Sequence, residues 1–269
     1  MERIGVIVGN GKLPICFMTE IKNINEEIEF FPIGLFESID EDIKKHKNFI
    51  KFNIGQVGEI TRYFLKNDIY KIIFLGKVEK EIIFKDMKLD KYGQAIIESL
   101  PDRKDETLLF GVISFFKLNK IKVLPQNYLL KEILFQEKLY TKSKPTTEDL
   151  KTIEIGTEAA KKLSEVDAGQ TVVCKNSSVI ALEGIEGTDK AILRGGELGG
   201  SNCIVVKMAR PQQDMRVDIP TVGIDTIKML IKIKAKGIVG EAGKMIFIDK
   251  NESIKLANEN NIFIMGVKP

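Results

Sequence analysis

The most restrictive feature of this sequence is its opening. A β-branched run over residues 3–8 stops at Gly9-Asn10-Gly11 and is followed by Pro14. β-branched side chains suit a pleated, buried surface, glycines permit a tight turn, and proline is favoured in the first turn of a helix. Strand, glycine turn and helix (to about residue 21) open a doubly wound α/β unit. The alternation continues. Strands are expected over 30–33 and 49–54, a helix over 58–66, a buried strand over 71–75, a strongly apolar helix over 107–118 and a short strand over 121–124. Strands and helices alternating at this spacing build a mostly parallel sheet.

Residues 140–149 then read Tyr-Thr-Lys-Ser-Lys-Pro-Thr-Thr-Glu-Asp, a polar stretch that marks a linker. The expected division is therefore a first domain over 1–140, a linker over 141–149 and a second domain over 150–269. The second half is again α/β. A helix is expected over 148–166, and strands over 171–174, 179–182, 203–208 and 215–219. A helix over 225–236, strands over 237–240 and 245–248, a helix over 252–260 and a strand over 262–267 complete it.

A length of 269 residues favours two cores over one, and 43% apolar residues are enough to bury both. Lys and Arg number 41 against 38 Asp and Glu, so the chain lacks the basic field of a nucleic-acid binder. Cys16, Cys174 and Cys203 are odd in number, far apart and set among apolar residues, as reduced core thiols are. One histidine, His46, and no paired cysteines argue against a zinc site. No run approaches the ~18 apolar residues of a membrane span, and the short apolar run at the start is not a signal peptide. A cytoplasmic location is expected, with transient contact at the inner membrane surface should the substrate be a lipid.

The chemistry-bearing stretch runs from 183 to 223. It holds Glu183-Gly184-Ile185-Glu186-Gly187-Thr188-Asp189, then Lys207 and Arg210, then Asp214-Met215-Arg216-Val217-Asp218-Ile219-Pro220. Carboxylates offer oxygen to a hard cation such as Mg²⁺ or Mn²⁺. Lys207, Arg210 and Arg216 offer charge to an anion, and the mixture suits phosphate chemistry. In an extended chain Asp214, Arg216 and Asp218 share one face, with the two aspartates about 13 Å apart, too far for one metal without a bend. Thr188 or Asp189 also fits the plain role of a cap for a helix over 190–193. Gly9, Asn10 and Gly11 fit a phosphate-binding turn, although the third glycine of a dinucleotide fingerprint is missing and a tight turn explains them as well. Lys77 follows the 71–75 strand and would stand at the same sheet edge. No Walker motif is present.

These motifs together resemble the UDP-2,3-diacylglucosamine pyrophosphatases of the LpxI type, from the lipid A pathway of Gram-negative bacteria. The likeness spans the chain: Ile4-Gly5-Val6-Ile7-Val8-Gly9-Asn10-Gly11 with Leu13-Pro14, Asp105-Glu106-Thr107-Leu108-Leu109, Asp167-Ala168-Gly169-Gln170-Thr171, the 183–189 and 214–223 stretches, and Gly240-Glu241-Ala242-Gly243. Glu106 departs from the pair of aspartates expected at 105–106. The resemblance implies a Rossmann-like first domain, a distinct second α/β domain and hydrolysis of a pyrophosphate to UMP and 2,3-diacylglucosamine 1-phosphate with Mg²⁺ (or Mn²⁺). On that reading Asp218 is the first choice for the catalytic carboxylate, with Asp214 and Asp189 next. Asp218, Asp189 and Glu186 would face the metal. Gly9, Asn10, Gly11, Lys77, Thr188, Lys207, Arg210 and Arg216 would bind substrate. A homodimer is expected, and no nucleic-acid partner. The alternative is a non-catalytic nucleotide-binding or regulatory α/β protein, which would have no use for the acidic set.

Overall fold

The computed structural model describes residues 1–21, 27–76, 88–102, 105–128 and 130–269. Its contacts divide the chain into two compact units, Met1–Leu130 with Arg216–Asp218, and Lys131–Met215 with Ile219–Pro269.

The first unit is a five-stranded parallel sheet in the order β3-β2-β1-β4-β5. Its strands are β1 (Glu2–Val8), β2 (Ile28–Gly34), β3 (Ile50–Lys51), β4 (Lys71–Leu75) and β5 (Lys122–Val123). The order is that of a doubly wound dinucleotide-binding sheet short of its sixth strand. β1 lies at the centre and is buried on both faces from Ile4 to Val8, which is why it reads as an unbroken apolar run. The helices are α1 (Leu13–Ile21), the short α2 (Glu41–Lys44), α3 (Val57–Lys66), α4 (Lys91–Ser99) and α5 (Asp105–Leu118). Phe64, Ile72, Ile113 and Phe116 form the core with Ile7 and Ile33. One carboxylate starts two helices: Asp90 accepts from Tyr92 and Gly93 N–H at the head of α4, and from Gly58 and Glu59 N–H in the first turn of α3.

The second unit is a mixed sheet, β12-β10-β8-β6-β7. Its strands are β6 (Thr171–Lys175), β7 (Ser178–Leu182), β8 (Ile204–Lys207), β10 (Gly237–Glu241) and β12 (Phe263–Val267). β8, β10 and β12 run parallel, while β6 runs antiparallel to both neighbours. A pair, β9 (Thr221–Val222) and β11 (Ile246–Phe247), stands beside it. Helix α6 (Thr147–Glu165) covers one face, where Ile153 and Ala160 meet Ile204 and Val206. On the other face Val205 joins Ile192 of α7 (Thr188–Gly199), Leu230 of α8 (Ile224–Lys232) and Ala257 of α9 (Lys250–Glu259).

The structure departs from the sequence-based reading at three places. Residues 141–149 do not link two units; they belong to the second. Thr141 Oγ1 accepts from Ile264 N–H at 3.0 Å, and Thr146 with Asp149 forms the capping box of α6. Asp149 also meets Lys236 at 2.7 Å. Helix α7 extends well past residue 193, through Gly195 and Gly196, despite the poor helix propensity of glycine. A Cβ at Gly195 would stand 2.6 Å from Val173 of β6, so close packing accounts for the glycine. Residues 215–219 form no strand. Met215 and Arg216 turn, and Asp218 adopts a left-handed φ of 48°. The alternation of charged and apolar residues there marks a bend whose apolar member, Val217, is 8% exposed in the first unit's core. The extended spacing of Asp214 and Asp218 therefore does not apply.

Candidate active site

The first unit's sheet reverses direction of winding between β1 and β4, and open α/β sheets bind ligands outside the strand ends at such a point. Gly9 and Gly76 meet there. Gly9 N–H donates to Leu75 O at 2.7 Å. Gly76 has φ +89°, and a Cβ on it would lie 2.6 Å from Asn10 O. Gly11 has φ +104° and open space where a side chain would stand. The Asn10 side chain is oriented by Ser38, whose hydroxyl donates to Oδ1 at 2.6 Å. The turn thus presents backbone and one fixed amide. Lys77 lies outside the described residues. The same unit carries Arg216, whose guanidinium stands 6.0 Å over the Phe110 ring, and the exposed Asp218.

The second unit builds its sheet edge from charged side chains. Lys207 closes β8, is 9% exposed, and donates to Thr188 Oγ1 at 3.2 Å and to Thr221 O at 3.3 Å. Thr188 donates in turn to Glu183 Oε1 at 2.9 Å, and Glu183 Oε2 accepts from Gln170 N–H at 3.1 Å. One hydroxyl therefore bridges the buried Lys207 amine and a carboxylate, the kind of partner a buried polar group needs. Thr188 also opens helix α7. Its N-cap is Gly187, at φ 81° with no side-chain cap, so neither Thr188 nor Asp189 plays the capping role. The first-turn N–H groups form the positive end of the helix dipole. Asp189 is exposed in that first turn.

The remaining expected residues divide by partner. Glu186 binds Arg194 and accepts from Gly184 N–H at 3.0 Å; the Arg194 hydrogen bond, above all, holds its carboxyl below the usual range. Arg210 pairs with Asp167 at 2.7 Å. Asp214 is half-buried, and its backbone carbonyl accepts from Gln213 at 3.3 Å. Glu241, part of the Gly240–Gly243 stretch that carries the resemblance, is 5% exposed at the end of β10 and accepts from Ala209 N–H at 3.0 Å beside Lys207's strand. Lys244 meets it at 3.0 Å. Among the described residues no three or more His, Cys, Asp or Glu side chains are grouped to hold a metal ion. Glu186 does not fit a ligand role, since its carboxylate is engaged by a cation. Mg²⁺ often takes only one or two protein carboxylates and completes its shell with substrate phosphates, so Asp218 and Asp189 retain suitable chemistry. Burial pushes the Cys174 thiol up to about 12 and raises that of Cys203, which removes both as thiolate nucleophiles.

Comparison with known proteins agrees with this two-unit architecture. The LpxI N-terminal domain matches residues 3–133 and the LpxI C-terminal domain residues 136–265. The chain is 25% identical over 280 residues to UDP-2,3-diacylglucosamine pyrophosphatase LpxI of Caulobacter vibrioides, covering 100% of this chain and 99% of that protein. It is also 39% identical over 77 residues to a UDP-N-acetylglucosamine--N-acetylmuramyl-(pentapeptide) pyrophosphoryl-undecaprenol N-acetylglucosamine transferase of Borreliella afzelii, 28% of this chain and 21% of that one. Among solved structures, an N-terminal ketoreductase from a macrolactin assembly line gives a TM-score of 0.27 at 9% identity over 99% of this chain and 54% of its own, too slight to bear on the fold. With both family domains present in order and a relative aligned from end to end, the chain belongs to the LpxI family.

Proposed function

We propose that this protein hydrolyses the pyrophosphate bond of UDP-2,3-diacylglucosamine to UMP and 2,3-diacylglucosamine 1-phosphate, in lipid A biosynthesis. The observation that carries the reading is the end-to-end similarity to a relative of that name, joined to a buried lysine at an uncapped helix start. Helix N-termini and buried cations are a recurrent receptor for phosphate. In this reading Lys207 and the first turn of α7 bind diphosphate oxygens and stabilise the charge that grows on them as the bridging P–O bond breaks. The Gly9–Gly11 turn takes part of the nucleotide, and Arg216 adds charge. Asp218 orients the attacking water or holds a divalent cation; Asp189 and Asp214 are the next candidates. A bound Mg²⁺ or Mn²⁺ would neutralise phosphate charge and acidify water. No helix among the described residues is long and apolar enough to cross a membrane, so a lipid substrate would be met at the membrane surface.

The test is turnover of UDP-2,3-diacylglucosamine with Mg²⁺ and after EDTA, with products identified by mass spectrometry. The expected products are UMP and the diacylated sugar phosphate, and chelation stops their release. Asp218→Asn keeps the left-handed backbone that Asn and Asp tolerate and removes the charge. Turnover should fall at least about 10²-fold, the scale of one acid–base group, with melting unchanged. Binding without hydrolysis by the unmodified protein would instead identify a non-catalytic receptor.

A further inference from the structure

Glu183 follows β7, and its half-buried carboxylate receives two donors. Oε2 accepts from Gln170 N–H at 3.1 Å and Oε1 from the Thr188 hydroxyl at 2.9 Å. The strands at this corner are already tied by backbone. Glu183 N–H donates to Thr171 O at 2.8 Å, and Met208 N–H donates to Gln170 O at 3.0 Å. A Cβ on Gly169 would stand 2.5 Å from the Glu183 carbonyl oxygen, so the chain is closely packed there as well. β6, β7 and β8 therefore keep their places without the carboxylate, and its two bonds call for another explanation.

A hydroxyl has one proton to donate and two lone pairs to accept with, whereas an ammonium only donates and a carboxylate only accepts. Thr188 Oγ1 uses all of that capacity. Lys207 Nζ donates to it at 3.2 Å, and its own proton goes to Glu183. The buried Thr171 hydroxyl, 3.4 Å away, is then a donor to it. Glu183 thus sets the direction of the Thr188 hydroxyl. The Lys207 tip, which also donates to Thr221 O at 3.3 Å, is steered between acceptors on two elements. A group that acts on a reaction must be held within about 0.5 Å of its working place by neighbours that are themselves fixed.

We infer that Glu183 is a positioning residue, which acts through the Thr188 hydroxyl to aim the Lys207 amine at the anionic group of the substrate. The inference rests on the phosphate-binding role proposed above for Lys207. The Thr188 hydroxyl serves this chain, and the diphosphate meets Lys207 and the α7 N–H groups.

Glu183→Gln keeps the shape but offers one acceptor oxygen to two donors, so either Gln170 N–H or the Thr188 hydroxyl loses its partner. Turnover of UDP-2,3-diacylglucosamine should fall at least about tenfold, the scale of one hydrogen bond to a charged group, with little change in melting by circular dichroism. Thr188→Val breaks the same chain from its other end and should do likewise, while Thr188→Ser, which keeps the hydroxyl, should retain most of the turnover. The deciding measurement is a double-mutant cycle with Lys207→Met. Because Glu183 acts through Lys207, adding Glu183→Gln or Thr188→Val to Lys207→Met should change the residual turnover by no more than about twofold. A structural tie would cost the same factor in either background. That additive result would overturn the inference and leave the activity standing, as would unchanged turnover in Glu183→Gln. The same cycle read by calorimetry, as affinity for inorganic pyrophosphate, needs no turnover. Coupling there, without hydrolysis of UDP-2,3-diacylglucosamine by the unmodified protein, would support the positioning role and overturn the activity. An unmodified protein that neither binds pyrophosphate nor turns over substrate would overturn both.

Discussion

The two sheet edges of this protein are made of different materials. In the first unit the strand ends present backbone: three glycines, a close approach of Gly76 to Asn10, and one amide fixed by Ser38. In the second they present charge: Lys207, Thr188 and Glu183 in a hydrogen-bonded chain, with Glu241 beside it. A backbone edge recognises shape and accepts an anion with little charge of its own. A buried ionic edge is costly to assemble and is worthwhile where charge changes during a reaction. On the proposed reading, the first edge serves recognition and the second electrostatic stabilisation.

The largest expected effect follows from breaking the second edge. Lys207→Met keeps the apolar stem packed and removes the cation, so turnover should fall about 10²- to 10³-fold, as when one stabilising donor is lost from an active site. Near-normal turnover would reduce Lys207 to a structural residue. Breaking the first edge should act differently. In Gly76→Ala the left-handed backbone costs about 1–2 kcal/mol and the new Cβ would crowd Asn10 O. We expect a lower melting temperature and a KM raised roughly tenfold, short of the hundredfold that an ångström's misplacement can cost. A loss confined to kcat would contradict the division of labour. The smallest effect belongs to Glu186→Gln. Its carboxylate is engaged by Arg194, so turnover in Mg²⁺ should stay within a few-fold, the scale of an exposed ion pair. A drop of two orders of magnitude would restore Glu186 as a metal ligand.

Most of the fold was legible because burial on both faces of a parallel strand leaves a local signature, as in 4–8, 71–75 and 204–207. What escaped depends on partners far along the chain. Helix α4 begins where Asp90 caps it while also capping α3, 31 and 32 residues upstream. The length of α7 depends on Gly195 meeting Val173. The polar run over 141–149 has a linker's composition, yet Thr141 and Lys142 bond to Ile264 and Asn258. In the candidate site, the places of Lys207, Thr188 and the Gly9 turn at the ends of strands could be read from the sequence pattern and the glycines. The pairing of Arg210 with Asp167 and of Glu186 with Arg194 could not, because ion-pair choice is a tertiary matter. The strict alternation over 214–219 mimicked a strand; the turn at Met215 and Arg216 and the positive φ of Asp218 distinguish it.

Val217 gives the chain an unusual order of assembly. The first unit's core includes a side chain that is synthesised 87 residues after Leu130. At about 5–20 residues per second, a nascent chain spends roughly 4–17 s between those two points. For that interval the amino-terminal unit exists on the ribosome with one place in its interior unfilled, while β6, β7 and β8 of the second unit are being made. The core of the first unit is thus completed only in the middle of the second unit's sequence, and a truncation that respects the family boundary near residue 133 severs the first core from one of its own residues.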